Sequence, residues 1–191
     1  IIRGVTIDHA TLQRWVIRFV RLIDKEVRRR KKSVGSSWRM DETYIKVKGV
    51  WMYLYRAVDS AGYTIDFLLR KNRDASAAKA FFGKAIKHNG SPQKVTIDKS
   101  GSNSCALSSL NKSLAKEKQI EIRQIKYLNN IVEQDHRFIK KRTKPMLGFK
   151  SFNSAKITIT GIENIRMIQK GQIIGGNNKL SVFENFAMLM A

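Results

Sequence analysis

"WRMDETYIKVKGVWMYLYRAVDSAGYTIDFLLR", residues 38–70, sets the architecture of the chain. It is dense in aromatic and β-branched residues. Two short breaks, Lys48-Gly49 and Ser60-Ala61-Gly62, divide it into three runs of strand length. The spacing predicts three strands in a meander. Beyond them the period changes, and Ala78, Phe81, Phe82, Ala85 and Ile86 recur at helical spacing up to a stop at Asn89-Gly90. "KVTID" reads as a short apolar strand ending at Asp98, residues 102–118 as a polar helix, "IEIRQIKY" as a strand, and 130–143 as a helix. That order predicts an α/β fold, a mixed five-stranded sheet flanked by helices.

Upstream, Leu12, Trp15, Val16, Phe19, Leu22 and Ile23 fall on one side of an amphipathic helix, with Asp8 as its N-cap. The helix runs into "RRRKKSVGSS", a basic segment and Gly/Ser hinge that reads as a boundary. Only seven residues precede Asp8, and the first is Ile1 rather than Met. We therefore expect partner helices for this one to lie upstream. The divisions expected are residues 1–32, a core over 36–172, and a tail over 173–191, in which "SVFENFAMLM" reads as a packed helix or an altered terminus.

Charge narrows the partners. Against 37 Lys and Arg the chain carries 15 Asp and Glu, a net charge of +22. Such an excess is the footprint of a polyanion, because Lys and Arg that neutralise phosphates release condensed counterions. Nucleic acid comes first, with anionic membrane well behind. No apolar run is long enough to span a bilayer, and no signal-peptide pattern opens the chain. The single Cys105 excludes an internal disulfide and fits a reducing compartment. No cluster of histidine or cysteine offers a soft metal site, and no Gly-rich phosphate loop occurs.

Acids at strand ends are the natural chemical candidates in such a sheet. Asp41 lies in the first strand, Asp98 closes the fourth, and Glu133 begins the late helix. Converging carboxylates repel one another unless a cation sits between them, and oxygen-only ligands suit Mg2+ or Mn2+. Each acid also has a plain structural reading. Asp41 has Glu42 beside it, and alternation turns one of the two away from any site. Asp98 suits a turn with Lys99-Ser100-Gly101. Glu133, third in a helix capped by Asn130, favours the positive helix end. His136, Arg137 and Lys140 follow Glu133 at i+3, i+4 and i+7, on its face, a row suited either to a DNA backbone or to solvent.

Four blocks carry a resemblance: "WRMDETYIKVKGVWMYLYRAVD", "TIDFLLRKNRDASAAKAF", "KYLNNIVEQDH" and "LGFKSFNSAKITITGIE". From about Val5 to about Gln172 the chain resembles the short bacterial DDE transposases of the insertion-sequence-six family. The resemblance implies a ribonuclease-H-like, integrase-type core. It makes Asp41, Asp98 and Glu133 the catalytic and metal-binding triad, with two Mg2+ or Mn2+ ions. The separation of 35 positions from Asp98 to Glu133 fits that family. It also implies that Lys140 lies against DNA near the scissile phosphate, with Arg137 and Lys141 as further DNA contacts. Asp135 and His136 take supporting roles, His136 touching phosphate. "VTIDHATLQRWV" is similar to the second helix of a helix-turn-helix, so His9, Thr11, Gln13 and Arg14 are candidate readers of terminal DNA. The expected activity is cleavage at element ends and transfer of the 3′-OH into target DNA, by replicative, cointegrate-forming movement. The expected partners are terminal inverted repeats, target DNA and further copies of the chain, as a dimer or higher multimer. The expected location is the bacterial cytoplasm, at the nucleoid. Where a Pro is expected soon after the second Asp, this chain has "DKSGSN". The rival readings are a DNA-binding remnant without chemistry and a ribonuclease-H-like nuclease that cuts without joining.

Overall fold

The computed structural model describes Gly4 and residues 6–189; Val5, where the resemblance begins, and Met190, at the end of the tail stretch, lie outside them. By compactness the chain divides into Ile1–Lys32 with Lys150–Ala191, and Ser33–Phe149.

In the second unit β1 (Ser37–Val47), β2 (Val50–Asp59) and β3 (Thr64–Arg70) form the meander. The β1–β2 connection is a two-residue hairpin in which Lys48 and Gly49 both have positive φ, 50° and 79°, the twist that such a turn demands. Helix α2 (Ala75–Asn89) follows, started by the Asp74 side chain accepting from Ala77 N and stopped at Gly90. Then come β4 (Lys94–Thr96), α3 (Gly101–Asn111), β5 (Glu121–Arg123) and α4 (Asn130–Thr143). The sheet order is β3-β2-β1-β4-β5, antiparallel over the meander and parallel from β1 to β5.

Strand β1 is central, and the pleat sends its residues to alternate faces. Trp38 and Met40 join Tyr55, Ala57, Phe81, Phe82, Val95 and Leu107 in a core beneath α2 and α3. On the other face α4 packs against β1 and β2 with Val132, Asp135, His136 and Ile139 buried. The predicted helix over 102–118 ends earlier, at Asn111. The Asn111 amide donates to Ile120 O and accepts from Ile120 N, turning the chain back toward β5. The predicted last strand is likewise shorter, giving way to a 3-10 turn over Lys126–Asn129.

The first unit holds α1 (His9–Arg30), α5 (Phe152–Gln169) and α6 (Val182–Ala187). Asp8 caps α1 by accepting from Ala10 N and Thr11 N. The apolar stripe reads differently in three dimensions. Leu12, Trp15, Val16, Phe19 and Leu22 are exposed, and α1 meets α5 instead through its later residues, with Val20 and Val27 buried. Gly161 on α5 permits this approach, since a Cβ there would lie 3.1 Å from Val20 Cγ2. Helix α5, which the sequence reading counts with the core, falls with α1 in this unit. The stretch from Ser181 forms the short helix α6, started by a reciprocal Ser181/Glu184 capping box. No helix among the described residues is long and apolar enough to cross a membrane.

A buried ion pair fastens α4 to the sheet: Arg56 Nη2 donates to Asp135 Oδ2 at 2.7 Å, with both side chains almost fully enclosed. Removing one partner leaves a buried charge uncompensated, whereas removing both does not. Asp135→Ala is expected to destabilise the fold by about 3–5 kcal/mol in denaturant unfolding, and the Arg56→Met/Asp135→Leu double variant by much less. Equal losses in the two variants would assign the cost to packing rather than charge.

Candidate active site

Asp41 pairs across the ladder with Arg56, and Glu42 with Tyr55, so the two acids leave β1 on opposite faces. Alternation alone turns one of them away from any site; the structure corrects that expectation. β4 pairs only with residues 37–39 of β1, so the strand edge at Asp41 and Glu42 lies past the end of β4. Around that edge Asp41, Glu42 and Asp98 each bring one carboxylate oxygen, all within 4.8 Å of one another.

The three acids are held differently. Asp98 accepts from Ser100 N (3.1 Å) and Asn103 Nδ2 (3.3 Å), so its turn-forming use and its place in the cluster coexist. Arg73 Nη2 donates to Asp98 Oδ2 at 3.0 Å and approaches Glu42 Oε2 at 3.4 Å. Asn103 Nδ2 also donates to Glu42 Oε1 at 3.1 Å. Burial works against the charge on Arg73, yet Glu42 and Asp98 outweigh it and hold its pKa above the ordinary value. Among the described residues, Asp41 has no Lys or Arg ion pair. Burial, with Glu42, Asp98 and Glu133 adding repulsion against a lowering hydrogen bond from the Glu42 backbone, pushes its carboxyl up to about 7.

Glu133 remains exposed on α4 and outside the cluster of three, although its charge acts on Asp41. The N-cap of α4 is Asn129 rather than Asn130, and its side chain makes no capping bond. Instead, buried Asn129 donates through Nδ2 to Met40 O at 3.3 Å, tying the start of α4 to the residue before Asp41.

His136 departs from the row expected along Glu133's face. Its side chain is 5% exposed, and Nδ1 lies 3.5 Å from Asp41 Oδ2, so it is not available to a DNA phosphate. Burial, then Arg56 and Lys140, depress its pKa to about 3. The contact is therefore one of a neutral imidazole with a carboxyl, not an ion pair. Arg137, Lys140 and Lys141 are exposed. On α1, in the other unit, His9, Gln13 and Arg14 are exposed, while Thr11 is half-buried and accepts from Arg14 Nη2 at 2.8 Å.

Sequence reasoning missed Arg73 and Asn103. Arg73 sits in the basic run "RKNRD" before α2, where nothing in the pattern separates it from Arg70 or Lys71. Asn103 lies one turn into α3 with no sequence signal at all. Hard, oxygen-only donors at this spacing suit a divalent cation such as Mg2+ or Mn2+, and the Asp41 carboxyl, raised first by burial and then by its acidic neighbours, is one whose charge a cation would favour.

A family model described as a DDE domain matches residues 35–172. The chain is 42% identical over 168 residues to the Staphylococcus aureus transposase for insertion sequence-like element IS431mec, covering 88% of this chain and 73% of that protein. The same figures hold for the Staphylococcus aureus transposase for insertion sequence element IS257 in transposon Tn4003. Among solved structures, the HTLV-2 integrase catalytic core domain in complex with magnesium is similar in fold. Its TM-score is 0.53 at 16% identity, over 76% of this chain and 94% of that one. The catalytic core domain of BIV integrase matches with a TM-score of 0.52 at 17% identity, over 80% and 94%.

Folded Asp41 keeps its proton to about 7, whereas an unfolded Asp loses it near 3.8. Folding stability from this group therefore falls as pH rises through that window and levels off above it. A cation that replaces the proton restores it. Millimolar Mn2+ is expected to raise Tm by about 3 °C at pH 8 and by little at pH 5, and Asp41→Asn to remove the rise. An unchanged Tm at pH 8 would remove the cation site.

Proposed function

We propose that this chain, which belongs to the DDE transposases of the insertion-sequence-six family, cuts DNA at the ends of an insertion sequence and joins the exposed 3′-OH to target DNA. The observation that carries the reading is the meeting of Asp41 and Asp98 at one strand edge, with α4 tied beside them through Asn129. The relatives named transposases favour joining chemistry over a nuclease that only cuts, or over an inert DNA-binding remnant.

In the first step a water oxygen attacks a backbone phosphorus as the bond to the 3′ oxygen breaks, and that oxygen leaves as a hydroxyl. In the second, this hydroxyl attacks a target phosphodiester, so one phosphate ester bond forms as one breaks. Asp41 and Asp98 would hold a divalent cation, with Glu133 completing the set from α4, and two ions are the number proposed; bound there, the metal would lower the pKa of the attacking oxygen and stabilise charge on the leaving one.

The chain's own groups do the rest. Arg73 and Asn103 fix the Asp98 and Glu42 carboxylates in place. Neutral His136 stands 3.5 Å from Asp41 without adding a competing charge. Arg137, Lys140 and Lys141 line the exposed side of α4, where a phosphate backbone finds positive charge. His9, Thr11, Gln13 and Arg14 on α1 are the proposed readers of the terminal repeats. The active form is at least a dimer on paired ends, working at the nucleoid in the bacterial cytoplasm.

Asp41→Asn, Asp98→Asn and Glu133→Gln are each expected to reduce metal-dependent cleavage of an element-end duplex at least about a thousandfold, leaving salt-sensitive DNA binding intact. Glu42→Gln is expected to retain cleavage, because Arg73 and Asn103 already satisfy that carboxylate. Full activity in Glu133→Gln with loss in Glu42→Gln would reverse the two assignments. Replacing Lys140 and Lys141 together by Ala is expected to lower the slope of log affinity against log salt by about 2.

A further inference from the structure

Beyond the acidic cluster, β1 continues into the hairpin with Tyr44 and Lys46 on the same face as Glu42. Tyr44 is flanked by aromatic rings: Tyr53, its ladder partner, lies 5.4 Å away centroid to centroid, and Trp51 6.4 Å away, edge-on. Lys46 Nζ sits 5.8 Å from the centre of the Trp51 ring. Tyr44 and Trp51 are 51% and 58% exposed, a costly display for rings of this size.

They are not a scattered surface feature. Both line a cavity of about 470 Å³, the size of a site for a small organic group, closed from the other side by Lys140 and Lys144 at the end of α4 and by Leu147. No acid lines it. A ligand for this cavity is flat and apolar enough to stack on Tyr44 or Trp51, and anionic enough to suit three lysines. A nucleotide has both properties.

Position narrows the choice. Tyr44 is two residues from Glu42 on one strand, about 7 Å along it, which is about two base-pair rises of DNA. Lys140 is two helical turns from Glu133, about 10 Å along α4. The cavity therefore lies about two or three nucleotide rises from the acidic cluster, bordered by the same strand and helix. A base within a duplex is already stacked on its neighbours, so only an unpaired base has its face free for Tyr44.

Resting on the reading of the acidic cluster as a DNA-processing site, we propose that this pocket takes an unpaired base of the strand being cut or joined. It stacks on Tyr44 and Trp51, while Lys46, Lys140 and Lys144 hold the adjoining phosphates. The pocket then fixes the register of the scissile phosphate through the base beside it, a role that none of the acids can perform.

The test uses the whole chain in excess chelator, where cleavage does not contribute. Fluorescence anisotropy compares a labelled oligothymidylate with an abasic oligomer of the same length and charge. The thymidylate is expected to bind about tenfold more tightly. Tyr44→Leu and Trp51→Leu are each expected to remove that preference without altering affinity for the abasic oligomer, and Tyr44→Phe to keep it. Both positions are largely exposed, so thermal melts of the Leu variants are expected to match the parent. Equal affinity of the parent for the two oligomers, or a preference that survives both Leu substitutions, would overturn the pocket. Element-end cleavage with metal is read separately. Cleavage without base preference removes the pocket alone, and base preference without cleavage removes the transposase reading while the pocket stands.

Discussion

Three carboxylate oxygens within 4.8 Å of one another are an arrangement that a protein does not hold cheaply. Burial raises the energy of the charged form, the neighbouring acids add repulsion, and the two together push the Asp41 carboxyl up to about 7. Much of the surrounding structure answers that repulsion. Arg73 leans across Glu42 and Asp98, and Asn103 donates to both, whereas His136 stays neutral and offsets none of the charge. What is left uncompensated sits on Asp41 and on the open side of the cluster, a place that suits a hard cation.

The fold makes this possible by stopping β4 short. Had β4 run alongside β1 past Arg39, a neighbouring strand would cover the edge where Asp41 and Glu42 meet. The truncated pairing lets acids from opposite faces of one strand share a site, and Asp98 arrives at the end of the same short strand. Two internal fastenings then bring α4 to that edge: Asn129 to Met40 O, and Asp135 to Arg56. Past the cluster, β1 runs on to the aromatic pocket, where Phe149 pairs with its edge through Lys46 O and Lys48 N.

The meander, α2 and α4 were legible because their signals are local. Lys48-Gly49 specifies a hairpin by turn chemistry, and the Ala78-Phe81-Phe82-Ala85 spacing specifies a helix face. The acids at strand and helix ends were legible as types at characteristic separations. Glu42 was misjudged although alternation holds, because past the end of β4 side chains from both faces can reach around the strand edge. His136 was misjudged because i+3 and i+4 are both neighbours of Glu133 on a helix, and burial against the sheet separates His136 from Arg137. Arg73 and the Asn111–Ile120 turn depend on what the rest of the chain brings near them, which no window of sequence carries. The stripe on α1 shows the reverse case, a strong helical pattern whose apolar side is mostly exposed in this unit.

The most direct test of the account is strand transfer. The chain is given a pre-cleaved element end, a target plasmid and Mg2+ or Mn2+, with Asp98→Asn as control. The account predicts joined product that depends on the metal and vanishes in the control. Tight, salt-sensitive DNA binding with no joined product in either metal would contradict it, as would joining that survives the loss of Asp98.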